Sequence, residues 1–442
     1  MKTSFLTITM ASLVHRDSGK CSKSEVDLFS LPDTQVAIES DATIAVAPIH
    51  SVTGDTQTPI EFLIPGSADN FIDLSSIEMY LKVKIVKGDG SNVEETTRVY
   101  PENNFLQTAF SQCCVTLNGK AVSSNSSNYA YRSYLEKLIN YDTESKTSHL
   151  ASAGFYSERN RGTVEAKYLA NEDKIFEFYG KCHGDIFQQH KLLLNSVDVK
   201  LKFVRSPSNF HLYVGALPDN YGAPTFKIKI LETELFVRQV KLSPHIYLGI
   251  ERSLSVNNAK YNIRRTETRT FTIPHNLTYK ELNNVIMGKL PEKILVGILP
   301  HRSELGEYTT SCFHFSNANL QQVDLTVNGV SIRKPYDLDF TSEDKKYRRA
   351  YYDLFVSNGH INGSSNGISE QEFIETSTLF SYDLTPDRCN NYSMHLNPVR
   401  YGDIGIKLKF KTALANPISV LFYFEYSDVI EITKSRTVLY EP

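Results

Sequence analysis

Tryptophan is absent from this chain of 442 residues, and methionine occurs only five times. Neither charge is in surplus: 47 Lys and Arg stand against 50 Asp and Glu, a formal net charge of −3. A protein that coats nucleic acid wants a strongly basic face, and this composition offers none. No run reaches the ~18 apolar residues of a membrane-spanning helix. The six cysteines, Cys21, Cys113, Cys114, Cys182, Cys312 and Cys389, include no C-x-x-C pair and no regular spacing. They read as free, buried thiols in a reducing compartment rather than as disulfides or zinc ligands. Phosphate cradles of the G-x-x-x-x-G-K-[ST] or G-x-G-x-x-G type are missing as well. The opening MKTSFLTITMASLV has the lysine and short apolar stretch of a secretory leader. His15, Arg16 and Asp17 follow at once, however, with no small-x-small cleavage site. Residues 1–24 therefore read as a polar, mobile arm, with Met10 as an alternative start.

What is present in quantity is Tyr (25), Phe (24) and β-branched residues, a mixture that favours strands. A chain this long exceeds a single hydrophobic core, so two domains are expected. The organising stretch is Val115–Leu138, VTLNGKAVSSNSSNYAYRSYLEKL. Asn118-Gly119 between β-formers predicts a type I′ hairpin turn, because that turn needs φ > 0 at both central residues. Tyr131, Tyr134, Leu135 and Leu138 share one face at helical spacing and predict a short helix after the hairpin. The unit then recurs over Val323–Phe355, with Asn328-Gly329 in the turn and Tyr347-Arg348 matching Tyr131-Arg132. Val199–Phe203 (VKLKF) pairs with Ile406–Phe410 (IKLKF), and Leu231–Val240 resembles Phe424–Thr433. Three matches in order, offset by about 190–220 residues, indicate a duplicated domain rather than a solenoid.

Along the chain, Ile77, Met79, Leu81, Val83 and Ile85 alternate with Glu78, Tyr80, Lys82 and Lys84, a strand with one face buried. Lys293–Leu299 (KILVGIL) is continuously apolar, as a strand covered on both faces would be. Val420–Phe424 (VLFYF) would aggregate if exposed and is expected in a central, covered strand. Many short strands with helices confined to loops read as all-β. Two domains of about 200 residues fit tandem eight-stranded jelly-roll sandwiches, a double jelly roll, better than immunoglobulin-type domains of ~100 residues. The expected boundaries are an arm at 1–24, a first jelly roll at 25–243, a linker at 244–258, a second jelly roll at 259–436 and a tail at 437–442.

Motifs that carry chemistry are few. Gly363-Ser364-Ser365-Asn366-Gly367 matches G-x-S-x-G, but it sits in a Ser/Gly/Asn loop without the strand-to-helix turn that a nucleophile needs. The surrounding 357–369 stretch is polar, and Gly359–Gly367 within it is expected to be an exposed loop tip. Cys182-His183 and Cys312-x-His314 lack a second ligand pair at zinc spacing and read as packing. Acidic residues are too scattered to mark a glycosidase pair. Asn125, Asn276, Asn362 and Asn391 lie in glycosylation sequons, which matter only in a secreted protein. Arg264-Arg265 with Arg269, and Lys345-Lys346 with Arg348-Arg349, are basic clusters that read as solvated faces with their stems over apolar surface. No catalytic, cofactor-binding or metal-binding residue is expected. The residues singled out are the structural turn residues Asn118, Gly119, Asn328 and Gly329.

Several longer segments resemble one family. KSEVDLFSLPDTQVAIES, FIDLSSIEMYLKVKIVKGDG, FSQCCVTLNGKAVSSNSSNYAYRSYLEKLINY, HGDIFQQHKLLLNSVDVKLKFVRS, KIKILETELFVRQVKLSP, AKYNIRRTETRTFTIP, STLFSYDLTPD and LNPVRYGDIGIKLKF resemble the major capsid protein of Polinton/Maverick elements and adintoviruses. The resemblance runs from about Ser22 to Ile432, with the segments in order; the arm matches least. It implies a double jelly roll whose homotrimer is a pseudo-hexagonal capsomer. Capsomers would tile an icosahedral shell, the virion capsid, around double-stranded DNA. It also implies a single jelly-roll penton protein and a maturation protease as partners. The long excursions, residues 140–181 and 333–376, would then be outer towers and intersubunit clasps. Two readings from the residues compete with it: a β-sandwich carbohydrate-binding protein, and a β-sandwich hydrolase with a carboxylate pair in a cleft.

Overall fold

The structure, a computed structural model, describes Asp17 and residues 24–26, 28–29, 31–52, 58–95, 97–123, 128–214, 225–341, 345–361, 365–390 and 395–441. The chain divides into two units, Met1–Ala37 and Ile38–Pro442. In the first, Ser24–Val26 makes one 3-10 turn, and Leu28, Phe29 and Leu31 are exposed. The arm expected at 1–24 lies almost wholly outside the described residues, as do Cys21, Asn125, Asn362, Asn391 and the Gly363-Ser364 half of the G-x-S-x-G match.

The second unit is built from two sets of strands. The first set is β1 (Ile38–Val46), β2 (Ile60–Ile64), β3 (Asn70–Lys87), β4 (Phe110–Leu117), β5 (Lys120–Ala121), β6 (Ile175–Lys181), β7 (Val199–Arg205) and β8 (Phe226–Leu242). The second is β9 (Ala259–Ile273), β10 (Tyr279–Lys289), β11 (Lys293–Pro300), β12 (Leu320–Val327), β13 (Val330–Ser331), β14 (Leu379–Asp383), β15 (Tyr401–Phe410) and β16 (Ile418–Ile432). The first set forms sheets β1-β8-β3-β6 and β2-β7-β4-β5; the second forms β9-β16-β11-β14 and β10-β15-β12-β13. Each strand in the second set thus takes the place of the strand eight numbers below it. This interleaved order of antiparallel strands in two facing sheets is the jelly roll, and the chain makes it twice. Five helices matter below: α1 (Tyr129–Asn140), α2 (Arg161–Leu169), α3 (Pro244–Leu254), α4 (Arg348–Val356) and α5 (Glu370–Glu375).

The strand patterns follow the sequence. In β3 the residues Ile77 to Ile85 alternate buried and half-buried as their period-two spacing dictates. Every residue of Lys293–Leu299 is buried in β11. Val420–Phe424 is buried in β16, which lies between β9 and β11.

Four of the expected segments carry structure that the sequence did not show. The stretch 244–258 is mostly helix α3, begun by Pro244 at its first position, where proline's missing N–H costs nothing. The residues expected as a tail give a short strand, Val438–Leu439, that pairs with β16; Val438 and Tyr440 are buried. The excursion expected over 140–181 ends in β6, a sheet strand, because Phe176 and Phe178 supply a buried face. At the described ends of Gly359–Gly367, Gly359, Ile361 and Ser365 are exposed, but Asn366 is fully buried and its carbonyl accepts from Lys146 Nζ. His360 Nε2 also lies 2.7 Å from the Ile139 carbonyl.

The two sandwiches interlock. Ala130, Tyr131, Tyr134, Leu135, Leu138 and Ile139 of α1 belong to the hydrophobic core of the second sandwich. Conversely Tyr261, Ile263, Ile430, Ile432 and Val438 belong to the core of the first.

Candidate functional site

Two features of this fold are specific enough to be functional: the paired hairpin turns, and the polar hub that joins the sandwiches. In the turns, φ is +44° at Asn118 and +81° at Gly119, and +52° at Asn328 and +76° at Gly329. Asparagine tolerates the left-handed region better than other residues with a Cβ, and glycine enters it without steric cost. The structure adds a reason for asparagine. Asn118 N–H donates to the Asp198 carbonyl (3.0 Å), and Asp198 N–H donates back to Asn118 Oδ1 (2.8 Å). Asn328 makes the same reciprocal pair with Asp403, at 2.9 and 3.0 Å. Each turn therefore pins the start of β7 or β15, the strand next to its hairpin. Asn118 Nδ2 also donates to the Arg436 carbonyl (2.9 Å), reaching into the second half.

No atom lies within 4 Å of a Cβ added at Gly119 or Gly329, so only backbone strain opposes a side chain there. Gly119→Val and Gly329→Val should each cost about 1–2 kcal/mol, more if the register slips. Each is expected to lower the melting temperature by differential scanning fluorimetry. Unchanged melting in both variants would refute the strain.

The hub starts on α1. Its apolar face is the one read from the sequence, but the opposite face is buried too: Arg132, Ser133, Glu136 and Lys137 are all below a tenth exposed. The cause is position, since both sandwiches flank the helix. Arg132 Nε bonds Glu136 Oε1 (2.9 Å) and its Nη1 bonds Asp185 Oδ1 (2.7 Å). Asp185 Oδ1 also accepts from the backbone N–H of Thr266 in β9 (3.0 Å). His183 Nδ1 lies 2.7 Å from Glu136 Oε2. Burial drives the Glu136 carboxyl upward, yet Arg132 and His183 outweigh it and hold the group at about 2. Burial raises Asp185 despite Arg132. Lys137 donates to Asn104 Oδ1 (2.7 Å) and Gln107 Oε1 (2.8 Å), and burial brings it down to about 7.

A second polar bridge runs through Glu102. It accepts from Arg161 at the start of α2 (3.2 Å) and from the hydroxyl of Ser311 in the second half (3.1 Å). Tyr134 of α1 stacks on Phe313, ring centroids 4.1 Å apart. Residues of the first half thus reach polar and aromatic partners in the second along the length of α1.

The residues with possible chemistry go elsewhere. Cys182 is buried and its thiol is pushed up to about 12, while the adjacent His183 ring is held by Glu136. Cys312 is buried and raised by desolvation. Cys113, Cys182 and Cys312 are buried as expected, but Cys114 and Cys389 are half-exposed; all five are free thiols. A cleft of about 730 Å³ beside α1 includes Glu78 and Glu136 in its wall. Both carboxylates are committed, Glu136 to Arg132 and His183, Glu78 to the Tyr179 hydroxyl.

Six of the seven side chains in the basic clusters have partners within the chain. Arg264 meets Glu425 (3.2 Å), and Arg265 meets Asp428 (3.0 Å) with its guanidinium 4.1 Å from the Tyr426 ring centroid. Arg269 meets Glu267 (2.6 Å). Lys346 meets Asp337 (3.4 Å), Arg348 meets Glu370 (3.4 Å), and Arg349 lies over Tyr336. Among the described residues no helix is long and apolar enough to cross a membrane.

No protein-family model matches the chain. It is 25% identical over 395 residues to an uncharacterized protein of Caenorhabditis elegans, covering 86% of this chain and 92% of that one. Among solved structures it resembles a chain of the Sputnik virophage, with a TM-score of 0.58, 11% identity and coverage of 97% and 94%. It resembles a chain of the PBCV-1 virus capsid with a TM-score of 0.55, 10% identity and coverage of 94% and 100%. It resembles the mavirus major capsid protein with a TM-score of 0.52, 10% identity and coverage of 97% and 96%. At this level of identity the shared property is the fold, the double jelly roll along nearly the whole chain.

Proposed function

We propose that this chain is a major capsid protein: a structural subunit, not an enzyme, whose homotrimer is a pseudo-hexagonal capsomer of an icosahedral shell. The observation that carries the reading is the duplication itself. Two jelly rolls with the same strand order, interlocked in one chain, give six similar lobes when three chains meet on a threefold axis. A trimer then fills a hexagonal lattice position that a single jelly roll would need six chains to fill. The PBCV-1 virus capsid chain and the mavirus major capsid protein share this fold along their length, which supports the reading.

The finer assignment, to the Polinton/Maverick and adintovirus group, rests on the sequence segments quoted above. With it go a virion location, a penton protein, a maturation protease and packaged double-stranded DNA as partners. The excursions, now 140–174 ahead of β6 and 333–376, are proposed for the capsomer's outer surface. The carbohydrate-binding and hydrolase alternatives predict monomers. The full chain, purified and examined by analytical ultracentrifugation and negative-stain microscopy, is expected to give three-chain particles of hexagonal outline or closed shells. A monomer at micromolar concentration would refute the capsomer.

A further inference from the structure

The loop between β14 and β15 brings together three side chains that neither the fold nor the capsid reading uses. Asp387, Cys389 and His395 each offer one donor atom, and these atoms lie within 4.8 Å of one another. We infer that this trio is a site for a thiophilic divalent cation, of which Zn²⁺ is the best fit. The inference does not depend on the capsid reading.

The donor set is the first reason. A carboxylate oxygen, a thiolate and an imidazole nitrogen are the three protein ligand types of zinc, at about 2.0–2.3 Å. Harder cations such as Mg²⁺ and Ca²⁺ take oxygen ligands and would leave the thiol unused. Tetrahedral geometry at those bond lengths separates donors by roughly 3.3–3.8 Å. Closing from 4.8 Å needs about 1 Å of side-chain adjustment, which half-exposed rotamers can supply. His395 Nε2 and Asp387 Oδ2 are already 2.7 Å apart.

The second reason is that the described ends of the loop are anchored, at Cys389, Asn390 and Asn397. Asn397 Nδ2 donates to the Cys389 carbonyl (3.2 Å). Asn390 Nδ2 donates to the Ser357 carbonyl at the end of α4 (2.8 Å), and Arg264 of β9 donates to the Asn390 carbonyl (3.1 Å). Part of the ordering entropy of a three-ligand loop is therefore already spent in the fold. Exposure is the third reason. The Asp387 and His395 side chains are each 45% exposed, so a cation can enter, and its fourth position is left for water. Binding converts the Cys389 thiol to thiolate, releasing that proton to solvent. The His395 imidazole binds in its neutral form with its remaining proton on Nδ1.

The test uses untagged, full-length protein stripped with chelator. Co²⁺ is expected to bind one equivalent per chain, giving a thiolate-to-cobalt charge-transfer band and tetrahedral d–d absorption. Zn²⁺ should bleach both. Cys389→Ser should abolish the charge-transfer band, and His395→Ala should weaken Zn²⁺ binding at least about tenfold. Cys114→Ser, which changes the other described half-exposed cysteine, should leave the spectrum unchanged. A wild-type cobalt spectrum without a thiolate band overturns the site, as does equal affinity in Cys389→Ser. The wild-type spectrum decides the matter even if a variant fails to fold.

Discussion

Arg132→Met is expected to destabilise the protein by about 3–5 kcal/mol, because it leaves the Glu136 and Asp185 carboxyls buried without the guanidinium that both of them meet. The size follows from burial. The Arg132, Glu136 and Asp185 side chains are 10%, 3% and 1% exposed, so water cannot replace the guanidinium. An exposed pair at similar distance serves as the control. Arg98 meets Glu165 at 3.1 Å, but the arginine side chain is 62% exposed. Arg98→Met should cost no more than about 1 kcal/mol. Urea denaturation of both variants measures the contrast. An Arg132→Met midpoint shifted no further than that of Arg98→Met would mean that the hub does not hold the sandwiches together.

The second large effect comes from separating the halves. Residues 25–243 and 259–436, expressed as two proteins, should each fail to give a soluble, cooperatively folding monomer. The apolar face of α1 would lose the second sandwich, exposing Tyr131, Tyr134, Leu135, Leu138 and Ile139 among others. The second half would lose cover for Tyr261, Ile263, Ile430 and Ile432. Each large side chain returned to water costs about 1.5–3 kcal/mol. Five such residues equal or exceed much of a typical domain's net stability of about 5–15 kcal/mol. Size-exclusion chromatography and near-ultraviolet circular dichroism report the outcome. A monomeric half with a sharp melting transition would show that the duplicated unit still folds alone.

The turn glycines and the hub differ in how much of them could be read in advance. Asn118-Gly119 and Asn328-Gly329 were legible because a type I′ turn is a local event: two adjacent residues carry the whole conformational demand. The alternation in β3 and the unbroken apolar run in β11 were legible for the same reason, since period and burial are written residue by residue. The bonds that give the asparagines their second role were not. Asp198 and Asp403 lie about 80 residues from their turns, and nothing local marks them.

The cation trio escaped the sequence for a related cause. Asp387, Cys389 and His395 are single ligands without the paired spacing that makes zinc motifs recognisable. Only the anchored loop brings them within reach of one another.

By itself, then, the sequence determined that the chain is all-β, that its plan is used twice, and where the paired turns fall. Those properties live in period, composition and repeated order. Only the tertiary structure decided that the copies are interlocked. It put Arg132, Glu136 and Lys137 inside, gave residues 244–254 a helix, and paired Val438–Leu439 as a strand. Burial of a helix's polar face is set by what packs on its far side. Here Arg132, Glu136 and Lys137 meet Asp185, His183, Asn104 and Gln107, while the second sandwich takes the apolar face, and no local pattern encodes either approach.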